Sequence, residues 1–476
     1  MKIFLNDHKY RHEIFQMYNM FYPFEDIVFT DNAYDISITV DTHKVNIVQS
    51  NNEKELAYLL GDDTKNALKQ IIYKYLSQLL GRGLPWGILV GIRPSKIAIS
   101  LLEMGFSREE IINKYINEYY TTMEKAKLCI DIAELEAKVL KNTKEEVSVY
   151  IGMPFCPTRC SYCSFASNPI GANKGIVEPY LKALTSEIRA ISEYITNKKL
   201  KIHTVYFGGG TPTSISNEQF ENIMSEIYKN FVLNRRVKEF TVECGRPDSI
   251  TVEKLKTMKN YEVGRISINP QTMNNETLKR IGRNHSVEEV IEKYNIAREM
   301  GFDNINMDII VGLPGEGLEE IKKTCDEILK LQPDNLTVHG MSVKRASRLH
   351  EERIIGNQSS EQLIVSDLEK VYEKTKLLSE ALQMKPYYMY RQKNMIGNME
   401  NVGYTKNNKE CIYNIEMIEE KQTIIALGAD GVSKIVFLDE NRIERVANVK
   451  DVREYIQRID EMIEKKLNLL NTLYIS

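Results

Sequence analysis

The sequence lacks any apolar run approaching the roughly 18 residues that cross a bilayer. Its opening, MKIFLNDHKY, has no apolar signal-peptide core, so a cytosolic protein with no membrane span is expected. Blocks of like charge are missing as well. The net charge is −3 with basic and acidic residues interleaved, which leaves no polybasic face for nucleic acid and no charged tail. Internal repeats and low-complexity segments are absent. Tryptophan occurs once, at Trp86, inside Pro85 to Pro94, a segment expected to be a buried strand bracketed by turns with Trp86 as a core anchor. Two nucleotide signatures are missing: no G-x-G-x-x-G, and no Lys-Ser/Thr after the one glycine run, Gly208-Gly209-Gly210. Cysteine is scarce, with seven in 476 residues, and a reducing cytosol leaves such thiols free for metal rather than disulfides.

What is present begins with length. A chain of this size holds two to four units, or one large α/β domain with appendages. Before residue 145, Asp35 to Val40 alternates like a half-exposed strand, while Asp63 to Leu80 and Ser107 to Leu140 have helical periodicity, an α+β lead-in over 1–145. A regular beat follows. Val147 to Gly152, Thr204 to Phe207, Phe240 to Glu243, Arg265 to Ile268, Ile305 to Ile310 and Asn335 to His339 read as strands. They alternate with helices such as Val177 to Thr196, Asn217 to Phe231, Val287 to Met300 and Leu318 to Leu331. Six strands in this beat predict a parallel sheet with right-handed crossovers, a partial or full β/α barrel over 146–384. From 385 to 476 a separate α+β unit is expected, with strands at Thr423 to Gly431 and Lys434 to Leu438 and an amphipathic helix at Val452 to Leu469. It either covers the barrel mouth as a lid or packs without touching substrate.

Three of the seven cysteines stand together. Cys156, Cys160 and Cys163 make C-x3-C-x2-C, whereas Cys129, Cys244, Cys325 and Cys411 read as buried core thiols. Structural zinc sites pair two short Cys/His spacings, and no second pair follows here. Three thiolates can hold a four-iron, four-sulfur cube and leave one iron open for a small ligand. In β/α folds the reacting groups gather at the carboxyl ends of strands. The cysteine loop follows the first strand, Gly208-Gly209-Gly210-Thr211 the second, Glu243 closes the third, Asn269-Pro270-Gln271 follows the fourth, and Asp308 lies in the fifth. Successive glycines let a backbone approach a ligand closely.

The cysteine motif with Tyr162 before its last cysteine, and the Gly-Gly-Gly-Thr-Pro loop, resemble the radical S-adenosylmethionine (SAM) superfamily. Tyr150 to Cys156, Tyr206 to Thr213, Arg265 to Gln271 and Asp308 to Pro314 are similar to its oxygen-independent coproporphyrinogen III oxidase group. The resemblance is strongest over residues 147 to about 345, and the long N-terminal extension looks most like the coproporphyrinogen dehydrogenase HemZ-type branch. It implies a [4Fe-4S] cluster on Cys156, Cys160 and Cys163. It implies SAM against Tyr150, Gly209, Glu243, Gln271, Arg283 and Asp308, with Tyr162 beside the cofactors and Gly210 and Thr211 near a second SAM if two are bound. Arg283 has the alternative reading of a helix-end cation.

The activity implied is oxidative decarboxylation of coproporphyrinogen III to protoporphyrinogen IX through a 5′-deoxyadenosyl radical, with a low-potential donor such as flavodoxin or ferredoxin. Alternatives are another tetrapyrrole reaction, such as methyl transfer with haem ring opening, and a haem chaperone. Two departures from the family pattern stand out: Phe165 occupies the place of a fourth cysteine, and Tyr387 to Asn394 replaces a His-Asn-x-x-Tyr-Trp haem motif. A tetrapyrrole with four carboxylates needs cationic anchors. Lys344, Arg345, Arg348, Arg391 and Lys393 are candidates, each with solvated surface charge as its other reading.

Overall fold

A computed structural model describes residues 1–22, 26–41, 44–49, 52–57, 64–140, 143–163, 168–341, 365–392 and 399–474. These form two compact units. One runs from Met1 to Glu134 and takes in the segment at Arg391; the other runs from Leu135 and holds the rest.

In the first unit, strands β1 (Lys2–Leu5), β2 (Val28–Phe29), β3 (Ile36–Val40), β4 (Lys44–Gln49) and β5 (Asn52–Ala57) form a sheet in the order β2-β1-β3-β4-β5. The alternation in β3 does what period two requires, burying Ile36, Ile38 and Val40 on one face. That face packs with the helices Arg11–Phe21 and Thr64–Leu80 through Ile14, Met17, Tyr18, Leu68, Ile72 and Leu76. The helical stretch expected from Ser107 divides into Arg108–Tyr119, started by a Ser107/Glu110 capping box, and Met123–Val139. Pro85 to Pro94 is not a strand. Gly87 sits at φ +52° and Leu89 N–H bonds back to the Trp86 carbonyl at 2.9 Å, so the chain turns where an extended run was expected. Trp86 is fully buried, as a core anchor should be.

The second unit is built on β6 (Glu146–Met153), β9 (Lys201–Gly209), β10 (Glu239–Glu243), β11 (Arg265–Ser267), β12 (Ile305–Val311), β13 (Asn335–Gly340), β14 (Lys385–Tyr390), β15 (Asn401–Thr405), β16 (Thr423–Leu427), β17 (Val432–Phe437) and β18 (Arg442–Ala447). A small pair, β7 (Phe155–Cys156) and β8 (Asn168–Pro169), belongs to the cysteine loop. The large sheet has the order β14-β15-β13-β12-β11-β10-β9-β6-β16-β17-β18. The six expected strands are its parallel core, adjacent and in chain order from β6 to β13. Parallel strands are covered on both faces, which suits the nearly continuous apolar runs of β6 and β12; Asp308 is the one residue of β12 that is not buried. Helices Ile170–Asn197, Asn217–Ile227, Val287–Glu299 and Leu318–Leu331 supply the crossovers, two of them opened by the capping boxes Ser216/Gln219 and Ser286/Glu289.

The boundaries expected at 145 and 384 differ from this arrangement. The two compact units meet inside the helix Met123–Val139. Residues 385–476 flank the sheet on both sides, β14 and β15 beyond β13 and β16 to β18 beyond β6. The reason is local: β16 reads Thr-Ile-Ile-Ala-Leu, is buried throughout, and pairs parallel with β6. Buried Glu187 on helix Ile170–Asn197 reinforces the join. It accepts from Gly428 N–H at 2.8 Å, Asn448 Nδ2 at 2.9 Å and the Tyr455 hydroxyl at 2.6 Å, and pairs with buried Lys466. The helix expected from Val452 is two, Val452–Gln457 and Ile459–Leu473.

Candidate functional site

Because the core strands are parallel, their carboxyl ends lie along one rim of the sheet, where ligands of open α/β sheets bind. The cysteine loop leaves β6 at this rim. Its backbone is pinned to the segment after helix Asn275–Arg280: Ser161 N–H donates to the Ile281 carbonyl at 3.0 Å and the Thr158 hydroxyl to that of Gly282 at 2.9 Å. Cys156 and Cys160 are buried and Cys163 half-buried.

Arg283 joins the loop to two strand ends. Its Nη1 donates to the Tyr162 hydroxyl at 3.1 Å, and Nη2 to the carbonyls of Gly245 (2.7 Å) and Asn269 (3.1 Å). At 5% exposure it is not a solvated helix-end cation. Burial pushes the Tyr162 phenol up, so it stays protonated against the arginine.

The glycine run answers a close approach of protein to protein. A Cβ on Gly210 would stand 2.6 Å from the Phe155 carbonyl and 2.9 Å from Cys156 Sγ, and Gly209 adopts φ +104°. Thr211 was expected near a second SAM; its hydroxyl lies 3.5 Å from Cys156 Sγ, donating to the thiol. Tyr150 stacks on Tyr206 (6.1 Å between centroids) and Tyr413 (6.0 Å), and its hydroxyl would be 3.3 Å from a Cβ at Gly209.

Two carboxylates at the rim are pushed in opposite directions. Burial raises Glu243 despite a hydrogen bond from the Tyr206 hydroxyl, and the negative charge of Asp308 adds to the rise. Burial would raise Asp308 too, but His339, with Nε2 at 3.6 Å, and the Asn306 amide at 2.7 Å outweigh it and hold the carboxyl low. Gln271 lies between the two strands at φ +66°, its N–H on the Asp308 carbonyl at 2.9 Å. Its Oε1 and Asn269 Oδ1 are buried without a hydrogen-bond partner among the described residues. Such orphaned acceptors are rare in folded proteins and mark places where a ligand supplies the missing donor.

The structure therefore brings Cys156, Cys160, Cys163, Tyr150, Tyr162, Gly209, Gly210, Thr211, Glu243, Gln271, Arg283 and Asp308 to one rim. Arg391 is 4% exposed, its guanidinium lies 5.1 Å over the Trp86 ring, and Nη1 donates to the Leu89 carbonyl at 2.5 Å. These contacts hold Arg391 within the N-terminal unit, where the sequence expectation was a carboxylate anchor. Lys344, Arg345, Arg348, Lys393 and Phe165 lie outside the described residues. Residues not anticipated include Arg246, which touches Cys160, and Tyr206, Tyr413 and His339. Tyr206 and His339 fall in or at the end of strands already recognised, so their strand position was the signal available; nothing in the sequence around Tyr413 marks it.

The family model of the radical SAM superfamily matches residues 150–328. The oxygen-independent coproporphyrinogen-III oxidase-like protein HemZ of Bacillus subtilis (strain 168) is 41% identical over 417 residues, 86% of this chain and 82% of that protein. The chain belongs to this family of radical SAM proteins. The heme chaperone HemW of the same organism is 36% identical over 197 residues, but these make up 41% of this chain and 51% of the chaperone. Coproporphyrinogen III oxidase (HemN) from Escherichia coli, a radical SAM enzyme of known structure, shares the fold with a TM-score of 0.52 over 70% of this chain and 73% of that one, at 21% identity.

Radical SAM proteins use a [4Fe-4S] cluster and SAM, and the rim fits both. Among the described residues no three His, Cys, Asp or Glu side chains converge as ligands of a single metal ion. A four-iron cluster asks for something else, one thiolate on each of three irons, and so a ligand set that stands apart. The hydroxyl of Thr211 and the guanidinium of Arg246 each donate to a cysteine sulfur, of Cys156 and Cys160 respectively. The orphaned acceptors on Asn269 and Gln271 suit the donors of a nucleoside or ammonium group. Among the described residues no helix is long and apolar enough to cross a membrane.

Proposed function

We propose that the protein catalyses the oxygen-independent oxidative decarboxylation of coproporphyrinogen III to protoporphyrinogen IX. The observation that carries this reading is the 41% identity, over 86% of the chain, with a protein described as oxygen-independent coproporphyrinogen-III oxidase-like. Support comes from the rim, where the glycine run lies against Cys156 and Glu243, and Glu243 is close enough to Asp308 to feel its charge.

When bound, the cluster and SAM would supply a carbon radical for hydrogen-atom abstraction from the β-carbon of a propionate, with carbon dioxide released and the remaining electron passed to an acceptor to leave a vinyl group. The residues of this chain hold and orient. Cys156, Cys160 and Cys163 are assigned to the cluster. Tyr150, Gly209, Glu243, Gln271, Arg283 and Asp308 are assigned to SAM, with Tyr162 tied to Arg283. Gly210 and Thr211 are assigned to a second SAM if two are bound. Asp308, kept ionised by His339 and Asn306, is suited to ribose hydroxyls or an ammonium. Propionate anchors fall to Lys344, Arg345, Arg348 and Lys393, and a low-potential flavodoxin or ferredoxin to electron supply.

The test is an anaerobic incubation of cluster-reconstituted protein with SAM, dithionite and coproporphyrinogen III, followed by mass spectrometry, with Cys160→Ala as control. Loss of two carbon dioxide masses, absent in the control, supports the reading. SAM cleavage with a different tetrapyrrole product points to other chemistry on the same scaffold, such as methyl transfer with ring opening. A second reading, a haem-transferring protein that keeps the cofactor site, draws on the identity to HemW. Stoichiometric haem retention without turnover in the same assay would favour it.

A further inference from the structure

Three residues beyond Glu243, Arg246 lies against the cysteine loop with a side chain 5% exposed. Asp248, itself 15% exposed, clamps it in a fork: Nε meets Oδ1 at 3.0 Å and Nη2 meets Oδ2 at 2.8 Å. The remaining corner of the guanidinium points into the loop, with Nη1 at 3.1 Å from Thr158 Oγ1 and 3.5 Å from Cys160 Sγ. A bidentate carboxylate fixes an arginine in both position and plane, so the donor aimed at sulfur is held there. The positive charge near Cys160 is partly offset by Asp248, which makes the pair a graded rather than a bare cation. Of the three cysteines in the motif, Cys156 receives a neutral donor, from Thr211, and Cys160 this charged one.

We infer that Arg246 is a positioning residue that tunes the electron affinity of the cluster through Cys160, with Asp248 setting how much of its charge the sulfur feels. The inference rests on the proposed role of Cys160 as a cluster ligand. The physical ground is simple. Uptake of one electron makes the ligand sulfurs more negative, so a donor and a positive charge at one of them stabilise the reduced state more than the oxidised state. Arg246 raises the potential; Asp248 moderates the rise. A part that merely braced the loop would not give opposite signs at the two residues.

The experiment is a redox titration of the reconstituted cluster, followed by electron paramagnetic resonance, in unaltered protein, R246Q and D248N. At the midpoint of the unaltered protein, R246Q is expected to show a ratio of reduced to oxidised cluster about tenfold lower, ~59 mV for a one-electron couple. D248N is expected to show a higher ratio. Equal midpoints in R246Q and unaltered protein, both with full iron content, overturn the inference. If R246Q takes up no cluster, D248N decides alone: a higher ratio supports the inference, an unchanged or lower one overturns it. Failure of the unaltered protein to take up a cluster overturns the ligand assignment itself, and with it this inference, and so is distinguishable from an unmoved midpoint.

Discussion

The two ends of the parallel sheet both hold carboxylates, and they treat them differently. At the amino end, fully buried Glu416 takes the His203 ring nitrogen at 2.5 Å on one oxygen and the hydroxyls of Ser148 (2.5 Å) and Thr204 (3.2 Å) on the other. Glu239 likewise accepts from the backbone N–H groups of Ile412 at 2.6 Å and Tyr413 at 3.3 Å. At the carboxyl end, Glu243 has Tyr206 as its side-chain donor, and the acceptors of Gln271 and Asn269 have none among the described residues. A closed network holds a structure together; an open one keeps donors and acceptors for something that arrives. The Glu416 and Glu239 networks thus read as scaffold, and the Glu243, Asn269 and Gln271 groups as site.

The contrast can be broken by substitution. The largest effect is expected from Cys160→Ala, which should reduce cluster content and SAM cleavage to background while leaving the urea midpoint close to that of the unaltered protein. Glu416→Ala should do the opposite. Removing one partner of a buried pair leaves His203, Ser148 and Thr204 unmatched and should lower stability by about 3 kcal/mol, read by urea denaturation, with cluster binding kept in the folded fraction. Next comes Glu243→Gln. Burial already disfavours its charge, so stability should change by less than about 0.5 kcal/mol. SAM affinity should weaken about tenfold or more, the cost of one hydrogen bond to a charged group, measured by equilibrium binding.

The smallest effect is a pH dependence at the amino end. The hydrogen bond that His203 donates to Glu416 raises the imidazole above its ordinary 6.5, against the opposing pull of burial. A raised histidine gives its stabilisation in full below about pH 6.5 and loses it as pH climbs through the folded-state value. The urea midpoint should therefore fall across that rise, and His203→Gln should remove this component of the slope. A pH-independent difference between the two proteins would place the interaction outside titration.

Much of the site was legible because its signals are local. Cys156, Cys160 and Cys163 are close in sequence; the glycine run, Glu243 and Gln271 sit at or just past the end of a strand whose apolar run is readable in isolation, and Asp308 lies within one. The contacts of Arg391 were hidden for the converse reason: a cation in a tyrosine-rich stretch gives no sign of Trp86, some three hundred positions earlier, lying beneath it. Arg246 went unremarked because an Arg-x-Asp pair after a strand is common surface chemistry, and its contact with Cys160 spans 86 residues. Of the C-terminal strands only β16 and β17 were found, and not their place, since pairing between β16 and β6 joins segments that carry no mark of each other.

By itself the sequence determined the strand and helix beat of the parallel core, the family, and the thiolate set available to a cluster, because periodicity and ligand spacing are properties of neighbouring residues. Tertiary structure alone decided which carboxylates are saturated and which left open. It decided too that the last ninety residues extend the sheet at both edges, and that Arg246 faces a cysteine while Arg391 faces a tryptophan. Those outcomes depend on long-range pairing and on burial, where a charge keeps only the partners the fold carries to it.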